Sequence, residues 1–182
     1  MKTRSAGLHP AGSVLTIKRK HFMKLSRLLF GTCDSFGPLV LRLGLAVALF
    51  PHGAQKVLGW WGGNGFEGTM GFFTGPMHIP AVLAFLAIAT EFAAPIALAL
   101  GFFTRLAGLV IAVNITVAAI LGGHIANGFF MNWMGTQKGE GIEYHLLMAT
   151  LGLGLFILGG GKWSVDALIA KCCPCCGDSE RK

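Results

Sequence analysis

IPAVLAFLAIATEFAAPIALALGFF, residues 79–103, is apolar throughout except for Thr90 and a single charged residue, Glu91. At 1.5 Å of helical rise per residue it is longer than the ~30 Å hydrocarbon core of a bilayer. The fold therefore turns on one question: what an apolar span does with a carboxylate at its middle. An ionised carboxylate at the centre of a membrane costs roughly 3 kcal/mol on insertion scales. It persists when it is protonated, paired, or turned into the interior of a bundle, and so it marks either a helix-to-helix tie or a ligand site.

The rest of the chain agrees with a membrane reading. Of 182 residues, 53% are hydrophobic and only 13% charged, against roughly 25% charged in soluble domains; mean hydropathy is +0.64. Three further apolar segments run over residues 36–58, 106–126 and from 142 to the glycines at 159–161. They lack the alternation of barrel strands, so the expected class is all-α, an integral membrane four-helix bundle. The 27 glycines fit close helix approach in lipid.

Basic residues set the expected orientation. Lys2, Arg4, Lys18, Arg19, Lys20, Lys24, Arg27, Arg105, Lys162, Lys171, Arg181 and Lys182 fall on one side, and only Lys138 falls on the other. Both termini are thus expected to be cytoplasmic, with Trp60, Trp61 and Trp133 at the outer interface and Trp163 at the inner one. No long basic-aromatic tract is present, which excludes nucleic acid as a partner; the expected partner is the lipid bilayer. Residues 1–35 read as a basic, disordered arm, with Met23 an alternative start. Residues 36–168 form the transmembrane domain and residues 169–182 a cysteine-rich cytoplasmic tail. A cleaved signal peptide is disfavoured, because Pro51-His52-Gly53 after the apolar run 39–50 is no small-x-small site.

Polar residues inside the spans carry the functional argument. On the first, Arg42 lies near the inner leaflet, while His52, Gln55 and Lys56 share one face of the outer half. By depth, either His52 or Lys56 reaches Glu91. Pro95 cannot donate a backbone bond, which frees the Glu91 carbonyl and predicts a kink. Asn114 on the third span reads as a helix-to-helix hydrogen bond. His124, Glu143 and His145 project toward the same outer half, Glu143 having an ordinary place in a helix first turn. The histidines come from three helices without H-x-x-x-H spacing, so no metal site is assigned. The glycine-rich segment 59–69 is expected to cap the outer mouth as a non-helical re-entrant loop. Cys172, Cys173, Cys175 and Cys176 form overlapping C-x-x-C pairs open to soft-metal, redox or lipidation readings, or to none.

The strings LRLGLAVALFPHGAQKVLGWWGGNGFEGTMGFF (41–73), AIATEFAAPIALALGFFTRLAGL (87–109), HIANGFF (124–130) and GKWSVD (161–166) resemble the DoxX family of small four-helix membrane proteins. The likeness runs from about Leu39 to Leu168 and leaves out the cysteine tail. It implies a multi-pass protein of the bacterial cytoplasmic (inner) membrane and an oxidoreductase role, in quinone-linked oxidation of sulfur compounds or in thiol homeostasis. On this reading Glu91 and His52 do the proton chemistry, and Gln55, Lys56, His124, His145 and Arg42 hold the cofactor, a quinone. No haem or flavin motif occurs in the sequence, so a redox partner protein or a second copy is expected. A proton-coupled small-molecule transporter and a non-catalytic scaffold are the alternatives. Replacing Glu91 by neutral Gln separates the scaffold from the two active roles.

Overall fold

The computed structural model describes residue 26 and residues 28–172. Helix α1 spans Gly37–Leu58, α2 Gly65–Thr74, α3 Ala81–Leu100, α4 Thr104–Leu121, α5 Glu143–Leu158 and α6 Val165–Cys172, with one 3₁₀ turn at Trp60–Gly62. Among the described residues the structure is helical without strands. The cysteine cluster beyond Cys172 and most of the basic arm lie outside the described residues.

Local chemistry sets the helix ends. Pro38 opens α1, where its fixed φ suits a first turn. Gly59 and Gly101 stop α1 and α3 in the left-handed region, at φ of 69° and 65°. The start of α4 is held from a distance. Asp166 accepts hydrogen bonds from the backbone N–H groups of Phe103 and Thr104, both at 2.8 Å. A carboxylate there satisfies orphan donors and sits at the positive end of the helix dipole. It also anchors Phe103, whose φ of 48° is unusual for a residue with a side chain.

Helices α1, α3, α4 and α5 pack as an antiparallel ring in which α1 meets α3, α3 meets α4, α4 meets α5, and α5 returns to α1. The core at the centre includes Leu45, Leu49, Leu98, Ile111 and Leu155, all within 2% of complete burial. Outside it the pattern inverts: Val40, Val47, Val82, Phe85, Val113 and Ile157 are exposed on helix faces that would meet lipid. Helices α1, α3 and α4 are long and apolar enough to cross a membrane. Helix α5, with 16 residues, covers about 24 Å at ideal rise and falls short by length alone.

Glycine decides how closely two of these helix pairs approach. A Cβ on Gly108 would lie 2.5 Å from the Gly152 carbonyl oxygen, and one on Gly152 would lie 2.6 Å from that of Gly108. The α4–α5 contact is thus backbone against backbone, as small residues permit in lipid. Gly53 on α1 repeats this against α3, its would-be Cβ falling 2.2 Å from the Glu91 carbonyl oxygen.

Two expectations change. The segment 59–69 is not wholly non-helical: Gly65–Thr74 forms α2. Packing outweighs the poor propensity of its glycines, since Thr69 is buried and the Phe66 ring meets Phe85 of α3 edge-on with centroids 6.3 Å apart. Nor are residues 31–35 a loose part of the arm. Gly31 O accepts from Arg105 Nε at 2.7 Å, Cys33 N donates to Leu158 O, and Ser35 O accepts from Lys162 N at 3.0 Å. These residues belong to the bundle.

Candidate functional site

A cavity of about 390 Å³ opens at the end of the bundle where α1 and α4 finish and α3 and α5 begin. Its wall includes His52 and Lys56 from α1, Glu91 from α3, His124 just beyond α4, and Tyr144 and His145 from α5. Leu49 and Ile115 form apolar lining deeper in the bundle. Apolar walls with a few convergent polar groups are the usual make-up of a small-molecule site.

Glu91 is its electrostatic centre. The carboxylate pairs with Lys56 through Oε2 and accepts from Asn114 Nδ2 through Oε1 at 3.3 Å. Three helices thus converge on one acid, which is 8% exposed. This is how the apolar span tolerates its charge: Glu91 is paired, and removing Lys56 would leave a nearly buried carboxylate without its counter-charge. The backbone adds a second feature. Pro95 has no N–H to offer the Glu91 carbonyl, and Gly53 fills the space beside that oxygen with nothing larger than its own Cα. Helix α3 nevertheless runs on from Ala81 to Leu100 through the proline.

The remaining wall is less fully bonded. The Tyr144 hydroxyl is buried and has no hydrogen-bond partner among the described residues. Its ring lies 6.0 Å from that of His52. His124 and His145 stack with centroids 4.2 Å apart. His124 Nδ1 meets the Glu140 carbonyl at 2.9 Å, and since a carbonyl only accepts, this ring nitrogen is the protonated donor. Glu143 accepts from Met131 N at 3.2 Å and Glu140 from Asn132 N at 2.6 Å, so both acids order the loop over the mouth. Glu143 thus adds a loop contact to its expected place in the first turn of α5.

Five of the seven sequence-predicted residues meet in this cavity: His52, Lys56, Glu91, His124 and His145. Gln55 is turned away. With Lys56, Gly63, Asn64, Thr69 and Phe72 it lines a second pocket, of about 330 Å³, beneath the turn and α2. Arg42 is at the opposite end of the bundle. Its Nη1 donates to Leu98 O at 3.0 Å and Ala99 O at 2.9 Å, and its Nη2 donates to Trp163 O. Arg42 therefore serves the carbonyls at the end of α3, adding to the Gly101 N–H that Leu98 O already accepts, and the assignment of Arg42 to cofactor binding is corrected. Tyr144 went unassigned in the sequence reading. The signal was available, because Tyr144 is the sole tyrosine of the chain and stands between Glu143 and His145, but its inward rotation depends on how α5 packs.

Among the described residues, no group of three or more His, Cys, Asp or Glu side chains is arranged to hold a metal ion. No curated protein and no solved structure matches the chain. The DoxX family model does match, over residues 37–124. That stretch holds α1 to α4 with His52, Lys56, Glu91, Asn114 and His124, and it stops before the helix that carries Tyr144 and His145. With three helices able to cross a bilayer the chain is a membrane protein, and its segment 37–124, which holds the Lys56–Glu91 pair, matches the DoxX family.

Proposed function

We propose that this protein is a membrane subunit of a redox system, in which the cavity around Glu91 binds a quinone headgroup and manages its protons. The observation that carries the reading is the Tyr144 hydroxyl, a buried donor with no partner among the described residues, on the wall of a cavity that also holds Lys56 and Glu91. Buried polar groups left unpaired cost about 1–3 kcal/mol, and a ligand carbonyl would satisfy this one.

The residues present fit a quinone by their donor set. Reduction of a quinone to a quinol adds an electron and a proton at each carbonyl oxygen. On this reading Tyr144 and His52, which line the cavity, donate hydrogen bonds to such an oxygen. Glu91, tied to Lys56 and Asn114, holds a proton position beside the cavity. A partner protein supplies or removes the electrons, in the oxidation of sulfur compounds or in thiol homeostasis as the family resemblance suggests.

The membrane arrangement follows the same reading. Helix α5 acts as a fourth span, both termini face the cytoplasm, and the membrane is the bacterial inner one. In support, Arg42, Arg105, Lys162 and Lys171 gather where α1 and α4 start and α3 and α5 end, while Lys138 lies near the cavity end. The cavity then opens in the outer half.

Binding of a short-chain benzoquinone to the purified protein, followed by calorimetry for wild type and Tyr144→Phe, tests the proposal. The expected result is saturable binding, weakened about 2- to 10-fold by loss of one hydrogen bond. Equal affinity in the two proteins, or no binding by wild type, contradicts it.

One observation favours a second reading. Lys56 lines both the central cavity and the pocket beneath α2, so the base of the Lys56–Glu91 pair borders two open spaces, as a gate would in a proton-coupled carrier. Substrate flux into proteoliposomes, driven by a pH gradient and lost in Glu91→Gln, would select this reading over quinone binding.

A further inference from the structure

The cavity is not the end of the space around His145. On the outer side of α4 and α5 lies an apolar groove of about 230 Å³, lined by Thr116, Ala119, Ile120, Ile142, His145 and Ala149. His145 lines the cavity as well as the groove, and Ile115 and Ala118, which face the cavity, alternate along α4 with the groove residues Thr116 and Ala119. The two spaces therefore share a wall, to which His145 contributes from α5 and residues 115–119 from α4. Their linings differ sharply. The cavity holds the chain's central acid and base, whereas in the groove His145 and the Thr116 hydroxyl are the polar exceptions, and that hydroxyl already donates to Ala112 O at 2.7 Å. Ile120 and Leu146, at the groove rim, are exposed on the lipid-facing surface.

We infer that the groove is the exit for the hydrocarbon tail of an amphipathic ring ligand whose polar head occupies the cavity, so that the ligand enters sideways from the bilayer between α4 and α5. The inference rests on the cavity being a headgroup site and adds the ligand's second half and its route. Small residues make the passage: Ala119 and Ala149 leave open what a larger side chain on either helix would close. The groove contributes passage more than affinity. A tail gains little by leaving lipid for an equally apolar channel, but a tailed ligand whose exit is blocked cannot seat its head.

The test compares a tailless benzoquinone with the same headgroup bearing a polyisoprenoid tail, on the full chain in lipid nanodiscs. Ala149→Phe fills the groove from α5. Thr116→Phe fills it from α4 at an exposed position, where the substitution does not disturb the core. The expected result is that both variants bind the tailless ligand as wild type does and bind the tailed ligand at least about tenfold more weakly. Unchanged binding of both ligands by both variants overturns the tail route while leaving the headgroup site standing. Failure of wild type to bind either ligand overturns the headgroup site, and the route with it.

Discussion

The two ends of the bundle use charge in opposite ways. At the end where α1 and α4 begin, the more buried charged side chains are directed at backbone, and the Lys162–Asp34 pair stays at the surface. Arg42 serves the carbonyls of Leu98, Ala99 and Trp163, and Arg105 those of Gly31 and Phe156. Asp166 takes the first N–H groups of α4. Arg42 Nε and Thr104 Oγ1 are left over among the described residues. At the other end, Lys56 and Glu91 are directed at each other, beside a space of about 390 Å³ bordered by a phenol and three imidazoles. A charge bound to backbone orders a fold and gives a ligand nothing to contact. A pair at the edge of a void can be rearranged by whatever enters.

That contrast yields predictions that differ by end. The largest loss of stability is expected from Gly53→Val, because a side chain there runs into the Glu91 backbone. Separating α1 from α3 should cost about 3 kcal/mol or more and abolish ligand binding with it, as thermal unfolding in detergent would show. Arg42→Ala comes next. It removes the side-chain donor from the carbonyls of Ala99 and Trp163, at about 1–3 kcal/mol each, while Leu98 O keeps the Gly101 N–H. Folded protein retained at low temperature should bind ligand as wild type does. Asp166→Ala removes the distant cap of α4 and should cost about 1–2 kcal/mol, again without altering affinity. Tyr144→Phe is expected to cost no stability and to gain up to about 1–3 kcal/mol, because the buried hydroxyl has no partner among the described residues to lose. It alone of the four is expected to weaken binding with the fold intact. Parallel losses of stability and binding across all four variants would erase the distinction between the ends.

The apolar runs made the helices legible, since a span must be long and continuous whatever it packs against. Predicted and observed bounds differ by only a few residues for the first, second and last spans. The third ends at Leu121 rather than 126, where Gly122 and Gly123 break it into turns. Glu91 was legible as a site residue for the same reason: a charge among apolar neighbours is conspicuous without a structure. What sequence could not supply was rotation about each helix axis. His52 and Gln55 are three residues apart on α1, yet they line different pockets. Arg42 resembled a site residue because it is an intramembrane charge, and its true partners lie 56 to 121 positions away along the chain. The helix Gly65–Thr74 was hidden by its glycines, which argue against helix locally and yield to packing against α1 and α3.

The most direct measurement is mass spectrometry of organic extracts from protein purified gently from its membrane, wild type beside Glu91→Gln. The neutral amide keeps the shape of Glu91 but leaves Lys56 without its counter-charge, and so should disturb the cavity more than the closed end. Quinone retained by folded wild type and lost from folded Glu91→Gln is the expected result. Quinone absent from both, or present equally in both, would contradict a quinone site built around Glu91.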